Sequence, residues 1–301
     1  MSLLPVPLDW TAFLNGDVDP PEPLVGDMLY RGEHANICSA AKVGKSLLLQ
    51  YISACLASRR AIFGTRHPTP LRVVYIDQEN GDDDLRERLT EMGCTDTDLQ
   101  TLHYFTRTPS WPPFDHPDVS AALKEVGALE ADLLVIDTMS KLIAGKENDA
   151  ETFRAFHKYT LLPLKAANVA AILLDHVGKD PSLGARGSSA KSSDVDVLWR
   201  LERPEPDRLV LRLQDSRRRR IVDRIDLQIR QEPRLDIVLS QVSGEVRRRD
   251  DAVTATVDQL RDLGATTDTS TRAAMELLAQ SGNGCRRVVV VAAMRVLKAA
   301  A

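Results

Sequence analysis

The sequence has few aromatic residues, few cysteines and no long apolar stretch. Aromatic residues make up 5% of its 301 residues, and its four cysteines include no CxxC pair. Unpaired, scattered cysteines argue against a disulfide-stapled secreted domain and against a zinc site, so we expect reduced thiols in a cytoplasm-like compartment. No run reaches the roughly 18 apolar residues that span a bilayer. The opening MSLLPVPLDW lacks the basic region and the apolar stretch of a signal peptide, so no membrane partner is expected.

An excess of positive charge is also missing. The chain has 39 Lys and Arg against 43 Asp and Glu, which gives a net charge of −4. The molecule as a whole is therefore not a basic nucleic-acid coat, and any contact with nucleic acid must come from local patches. The length and the 43% hydrophobic content suit one large soluble domain and a small one.

Apolar runs alternate with helical patterns along the first two thirds of the chain. Four runs end in polar residues, namely EHANICSA, LRVVYIDQEN, ADLLVIDTMS and VAAILLDHVGKD. The segments between them, including residues 46–61, 82–93 and 149–168, have helical patterns. This alternation predicts an α/β fold, a mostly parallel sheet with helices on both faces. After about residue 195, partial alternation with short turns predicts an extension of antiparallel strands.

The pattern predicts four segments. Residues 1–33 are rich in Pro and turn residues and are interpreted as an N-terminal arm. Residues 34–242 form the α/β core. The polar and charged residues 243–251 are the predicted linker, and residues 252–301 are predicted to form a small helical, helix-turn-helix-like domain.

The stretch SAAKVGKS, residues 39–46, differs from the phosphate-binding pattern G-x-x-x-x-G-K-[ST] only in its first residue. A strand is predicted to stop at Cys38 and a helix to start at Ser46, so loop N–H groups and the helix N-terminus would face a phosphate. Lys45 would reach the β- and γ-phosphates of ATP, and the Ser46 hydroxyl would hold Mg²⁺. The alternative is an ordinary strand-to-helix loop with a surface lysine. The predicted nucleotide-binding residues are Ser39, Ala40, Ala41, Lys42, Val43, Gly44, Lys45, Ser46 and Leu47.

Two acidic strand ends complete the predicted site. LLVIDTMS fits a Walker B strand, with Asp137 at its end as the second Mg²⁺ residue. VVYIDQEN ends another strand, and Glu79 there is a candidate for the carboxylate that orients or deprotonates the attacking water. The alternative for Asp137 is a helix cap or turn residue.

Together, the order of SAAKVGKSLLLQ, VVYIDQEN, LLVIDTMS and ILLDHVGKD resembles that of the RecA/DnaB-type P-loop ATPases. Within them, the chain is similar to the RepA-like group of small hexameric helicase-type proteins, over about residues 20–240; these are AAA family ATPases in the broad sense. The resemblance implies a RecA-like core, ATP and Mg²⁺ as ligands, Glu79 as the catalytic carboxylate, and a homo-oligomer, a hexamer.

The resemblance also implies roles for residues after the last motif. His176 matches the place of a polar residue that senses the γ-phosphate. Lys179 and Arg186 are candidates for a cationic finger that reaches the nucleotide of the neighbouring subunit, with residues 217–220 (RRRR) further off. The alternative is that His176 caps a strand and that the arginines form a solvated turn.

Two kinds of DNA contact are expected. In RecA-like rings the loops after these strands grip DNA, and here they are residues 140–151 and 178–193. The second loop is rich in Gly and Ser and carries basic residues, which suits a single-stranded backbone. Residues 270–298 are interpreted as helix, turn and basic helix, a pattern that could enter a duplex. The alternatives are a plain surface loop and a helical bundle used for packing or assembly.

Three functions remain open. The first is an Mg-dependent ATPase that works on DNA as a ring, helicase-like, in replication or recombination. The second is a DNA-binding regulator or loader that uses ATP to switch its assembly state. The third and weakest is a small-molecule or nucleoside kinase, for which no Arg-rich lid is visible between the late strands.

Overall fold

The computed structural model describes residues 9–15, 21–107, 111–146, 149–176, 195–218, 221–241, 244–285 and 287–299. It divides into two compact units. The larger is Glu22–Ser243, and the smaller combines Met1–Pro21 with Gly244–Ala301. The predicted arm, residues 1–33, is therefore shared between the two units.

The larger unit begins with a short antiparallel pair, β1 (Pro23–Val25) and β2 (Leu29–Tyr30). Within the described residues, nine further strands form one sheet in the order β11-β10-β9-β8-β3-β7-β6-β4-β5. They are β3 (His34–Ser39), β4 (Val73–Asp77), β5 (Leu102–Thr106), β6 (Leu133–Asp137), β7 (Ala170–His176), β8 (Val197–Glu205), β9 (Arg208–Ser216), β10 (Arg224–Arg230) and β11 (Asp236–Gln241). Strands β3 to β8 pair in parallel, and β8 to β11 pair antiparallel. The predicted fold class is confirmed.

Helices cover both faces of this sheet. They are α2 (Lys45–Ala57), α3 (Asp82–Glu91), α4 (Val119–Glu125), α5 (Ala150–Phe156) and α6 (Leu162–Ala166), with a π-helical stretch (His157–Leu161) between the last two. Short 3₁₀ helices occupy Thr97–Leu99, Ala128–Glu130 and Met139–Lys141. Ile136 and Leu173 pack with Phe156 and Leu123 on one face. Because side chains alternate along a strand, Tyr75 and Asp77 point to the other face, where α2 lies.

The smaller unit is helical: α1 (Trp10–Asn15), α7 (Gly244–Asp262), α8 (Thr271–Gln280) and α9 (Arg287–Ala299). Leu260, Leu278 and Val290 are among its fully buried residues. Burial of Val290 explains how a run of β-branched valines stays helical, since packing overrides a weak propensity. From Gly244 onward the predicted linker, residues 243–251, is the start of α7. Of the helices described, none combines the length and apolarity needed to cross a bilayer.

Candidate functional site

The phosphate-binding loop connects the centre of the sheet to α2. Strand β3 ends at Ser39 and α2 begins at Lys45, so strand and helix each differ by one residue from the predicted bounds. Positive φ occurs at Lys42 (63°) and at Gly44 (110°), where glycine is the favoured residue. Ser39 is strand backbone without positive φ. The serine in place of the usual first glycine is therefore accommodated without strain.

Lys45 is held at the base of this loop by oxygens of the loop itself. Its Nζ donates to Ser39 Oγ at 3.0 Å and to the Ala40 carbonyl at 3.3 Å, and its residue is only 7% exposed. Burial lowers the pKa of Lys45, and the charges of Glu79, Asp137 and Asp175 oppose that shift. The ammonium therefore lies in the field of three carboxylates before any phosphate arrives.

Two carboxylates meet at the carboxyl ends of β4 and β6. Asp77 and Asp137 are paired in register and both are buried. Asp137 accepts a hydrogen bond from the Tyr75 hydroxyl at 2.9 Å and another from the Ser46 side chain. Burial, followed by the charges of Asp77 and Glu79, raises the pKa of Asp137 to about 6, although both hydrogen bonds oppose the shift. A cation at this place would remove that repulsion.

Ser46 and Asp137 have the chemistry of a magnesium site. Their oxygens already lie within hydrogen-bonding reach of each other, and Mg²⁺ prefers oxygen ligands. No group of three or more His, Cys, Asp or Glu side chains in the described ranges could hold a metal by itself. In ATPases, Mg²⁺ is usually held by few protein oxygens together with substrate phosphates.

Glu79 lies beside these residues. Its Oε1 accepts a hydrogen bond from Thr138 Oγ1 at 2.7 Å, and its backbone N–H donates to Asp77 Oδ1 at 2.9 Å. The Gln78 N–H donates to the Asp137 carbonyl at 2.6 Å and fastens the same turn to β6. The side chain is exposed, so water can reach it while the turn that carries it is fixed.

Sequence reasoning missed Asp77. This carboxylate accepts from the N–H groups of Glu79 and Asn80 at 2.9 Å, from Asn80 Nδ2 at 2.8 Å and from the Tyr104 hydroxyl at 2.6 Å. The Tyr104 ring stacks on Tyr75 with centroids 4.4 Å apart. Asp side chains often accept a hydrogen bond from the backbone N–H two residues later and so stabilise a turn. The position of Asp77 two residues before Glu79 could therefore have identified it as the residue that fixes this turn.

Arg203 was also missed. It extends from β8, and a Cβ built on Gly44 would lie 3.8 Å from its Nη1. Its guanidinium also donates through Nε to the Pro206 carbonyl at 3.0 Å. A cationic side chain from a strand far away in the sequence thus lies next to the phosphate-binding loop. No local sequence pattern indicates this proximity.

The remaining predicted residues are placed only in part. His176 is the last residue of β7 and pairs in register with Ser39, the last residue of β3. Lys179, Arg186 and the loop 178–193 lie outside the described residues. Of the loop 140–151, residues 147 and 148 lie outside.

Among the further finger candidates, Arg218 is engaged within its own chain. Its Nε lies 3.1 Å from Glu33 Oε1, and its guanidinium stacks over the Tyr30 ring at 4.5 Å. It also donates to the Asp27 carbonyl at 3.1 Å. These contacts give Arg218 a structural role and argue against a finger role in a neighbouring subunit.

Comparison with known proteins agrees with this geometry. A family model described as an AAA domain matches residues 2–182, which include Lys45, Glu79 and Asp137. No curated protein matches the sequence. Among solved structures, the RadB recombinase is similar with a TM-score of 0.51 and 16% identity, over 70% of this chain and 92% of that one. A KaiC-like protein from Pyrococcus horikoshii OT3 has a TM-score of 0.51 and 14% identity, over 71% of this chain and 91% of that one.

The family match spans more than half of the chain and contains the phosphate-binding loop and both acidic strand ends. At these identities, the structural likeness concerns the fold alone. The resemblance to RecA/DnaB-type ATPases is confirmed at that level. The chain therefore belongs to the AAA-domain family, and its fold is that of the RecA-like P-loop ATPases.

Proposed function

We propose that this protein is an Mg-dependent ATPase of the RecA/DnaB type that acts on DNA as a ring-shaped homo-oligomer, a hexamer, in a helicase-like role in replication or recombination. The observation that carries the proposal is the placement of Glu79. Its carboxylate is exposed, bonded to Thr138 and fixed through Asp77, next to a buried Asp137. A protein that only binds nucleotide has no need of a carboxylate held in this way.

The residues of the chain divide the work as follows. N–H groups of residues 40–46 and the start of α2 bind the phosphates, and Lys45 exchanges its loop oxygens for phosphate oxygens. Ser46 and Asp137 hold Mg²⁺, which when bound neutralises charge on the phosphates. Glu79 orients the attacking water and accepts its proton.

Two further roles belong to the same proposal. His176, in register with the loop strand, reports the loss of the γ-phosphate to the loop 178–193. Lys179 or Arg186 of the next subunit supplies the positive charge that completes the site. Activity therefore depends on assembly.

DNA is proposed to bind at two places. Single strands contact the loops 140–151 and 178–193, and a duplex contacts residues 270–298. The second proposal is supported by α8, which Ser270 caps through its side chain, followed by a turn and α9. Two helices joined by a turn are the elements that a helix-turn-helix reader uses.

In one alternative the protein has the same ATPase site but does not act as a DNA motor. An ATP-switched regulator or loader would bind duplex DNA through the smaller unit and would not unwind it. The observation in its favour is that α7, α8 and α9 form a unit with a core of its own.

Steady-state ATP hydrolysis, measured without DNA, with single-stranded DNA and with duplex DNA, tests the proposal. Lys45→Ala serves as the blank, and sedimentation velocity gives the assembly state in each mixture. Strong stimulation by single strands together with ring-sized assemblies supports the motor. Hydrolysis that is indifferent to single strands, with binding to duplex DNA, supports the regulator. Absence of binding to either DNA contradicts both readings.

A further inference from the structure

A second pocket lies at the opposite end of α2 from the phosphate-binding loop. It is open to solvent and has a volume of about 730 Å³ between the segment that follows α2, residues 58–66, and the first residues of β11. This volume falls within the range of pockets that hold small molecules, roughly 300–1,000 Å³. Its lining includes Arg59, Arg60, Arg66 and Arg234.

The positive charge of the pocket exceeds the negative charge beside it. Within the part of the chain that the structure describes, Arg59, Arg66 and Arg234 donate no side-chain hydrogen bond and form no ion pair. Asp236, the carboxylate in the lining, accepts a hydrogen bond from the Tyr51 hydroxyl. Asp98 interacts electrostatically with Arg234 without a hydrogen bond to it, and it accepts a hydrogen bond from Thr95 Oγ1.

The helix dipole explains only part of this cluster. The end of α2 attracts cations, which accounts for basic residues directly after Ala57. Arg66 lies several residues further along, and Arg234 comes from the opposite end of the sequence of this unit. Like charges that converge on one cavity repel one another unless an anion is bound there.

The walls of the pocket are fixed by hydrogen bonds. Ile62 and Thr65 exchange backbone hydrogen bonds of 2.8 Å, and Gly26 N–H donates to Thr65 Oγ1 at 3.1 Å. Arg60 donates to the Met92 carbonyl and to Ser58 Oγ, both at 2.9 Å. These contacts hold the loop before any ligand arrives, and such pre-organisation lowers the entropic cost of binding.

The wall that carries Arg234 is fixed in the same way. The next residue, Leu235, is buried, and its N–H donates to the Glu91 carbonyl at 2.7 Å. Tyr51 of α2 bonds to Asp236 at the start of β11. Arg234 therefore extends from a fixed backbone while its guanidinium remains exposed.

We propose that this pocket binds the phosphates of a nucleotide, either free or as part of a single nucleic-acid strand. Guanidinium groups match phosphate oxygens two at a time, and three of the four in the lining, those of Arg59, Arg66 and Arg234, are not bonded within the described residues. The half-buried Phe63 in the lining offers an apolar face for a base. The pocket is separate from the ATP site because the 13 residues of α2 span about 20 Å between them.

The test measures binding by the full chain with Arg66→Ala and Arg234→Ala combined. Both side chains are exposed, so the fold should survive, and a thermal melt checks this. Arg86→Ala is the matched control, since Arg86 is exposed on α3 outside the pocket. One probe is a fluorescein-labelled oligo-dT. The other is ADP, titrated in a Lys45→Ala background so that the phosphate-binding loop does not contribute.

We expect the double variant to bind one of the two probes about tenfold more weakly than Arg86→Ala does. If oligo-dT is the affected probe, the slope of log affinity against log salt should also fall, by roughly 0.7 for each lost phosphate contact. Loss with oligo-dT identifies a strand as the source of the phosphates, and loss with ADP identifies a free nucleotide.

Unchanged affinity for both probes would overturn the proposal. So would a poly-glutamate peptide that alone loses affinity in the double variant, because the pocket would then recognise carboxylates. The readout is binding rather than hydrolysis. A failure of the proposed ATPase activity would therefore leave this result interpretable.

Discussion

The two ends of α2 carry positive charge in opposite ways. At its start, Lys45 is buried and bonded to oxygens of its own loop. Past its end, Arg59 and Arg66 are exposed and, within the described residues, unpaired. Because the charge at the start of α2 is buried and hydrogen-bonded, substitutions there should alter the free energy of unfolding as well as the activity. Substitutions at the other end should alter binding and leave stability nearly unchanged.

The largest expected effect is at Lys45. Lys45→Ala removes the charge that faces the β- and γ-phosphates, and we expect nucleotide binding at the phosphate-binding loop to be abolished and hydrolysis to fall by about 1,000-fold or more, some 4 kcal/mol. Calorimetric titration with ADP, in an Arg66→Ala, Arg234→Ala background, measures the binding at the loop. Lys124→Ala, a change at an exposed lysine of α4, should bind as the wild type does. Normal binding by Lys45→Ala would refute the assignment of the phosphate-binding loop.

Glu79 separates activity from stability because its side chain is exposed although it lies beside the buried Lys45 and Asp137. Glu79→Gln keeps the shape of the side chain and removes the base, so hydrolysis should slow by roughly 100-fold or more while ADP affinity and melting temperature stay the same. Phosphate release and a thermal melt measure the two effects. Glu87→Gln, an exposed change on α3, is the control. Wild-type turnover by Glu79→Gln would remove Glu79 from the mechanism.

Burial also predicts a pH dependence that exposed arginines cannot supply. His34 begins the strand that leads to the loop, and burial, followed by the charge of Lys165, lowers its pKa from 6.5 to about 4. Between these pH values the unfolded chain holds a proton that the folded chain does not. His34 should therefore contribute a loss of stability of about 3 kcal/mol as pH drops from 6.5 to 4. Asp137 opposes this loss below about pH 6, because its raised pKa makes the folded chain take up a proton there before the unfolded chain does.

Denaturant unfolding at a series of pH values measures this slope. His34→Gln should lack the His34 contribution and therefore lose less stability in acid than the wild type, whereas His103→Gln, a change at an exposed histidine of β5, should behave as the wild type does. An identical acid dependence in wild type and His34→Gln would mean that other groups cause the loss.

The smallest effect is expected at Asp77, which acts through Glu79. Asp77→Ala leaves the N–H groups of Glu79 and Asn80 without their acceptor, so the turn should loosen and kcat should fall about tenfold with little change in KM for ATP. Asp77→Asn, which keeps an acceptor oxygen, should recover part of the rate. Equal losses in kcat for both variants would argue against a positioning role.

The same comparison shows what the sequence could predict. The phosphate-binding loop and Glu79 could be predicted because each lies in one contiguous stretch that ends a strand, and the α/β fold, which is confirmed, followed from the alternation of apolar runs. Arg66 and Arg234 line one pocket only because β11 lies near the end of α2, and Arg203 lies near Gly44 only because β8 pairs with β3. Such pairings depend on strand order, which a single sequence does not encode locally.

The segment 243–251 shows a different limit. Its charges favoured a linker, yet Glu and Arg are also good helix formers, and the chain is helical from Gly244. Local composition alone could not separate the two. Asp77 is an intermediate case, since its turn pattern is local but its partner Tyr104 comes from the neighbouring strand.

The most direct test of the central claim is phosphate release from ATP by the purified full chain, with Mg²⁺ and with EDTA in place of Mg²⁺. Ser46 and Asp137 form the predicted Mg²⁺ site beside Glu79, so we expect steady release with Mg²⁺ and release at the level of Lys45→Ala with EDTA. Equal release under both conditions, or none under either, would contradict the central claim.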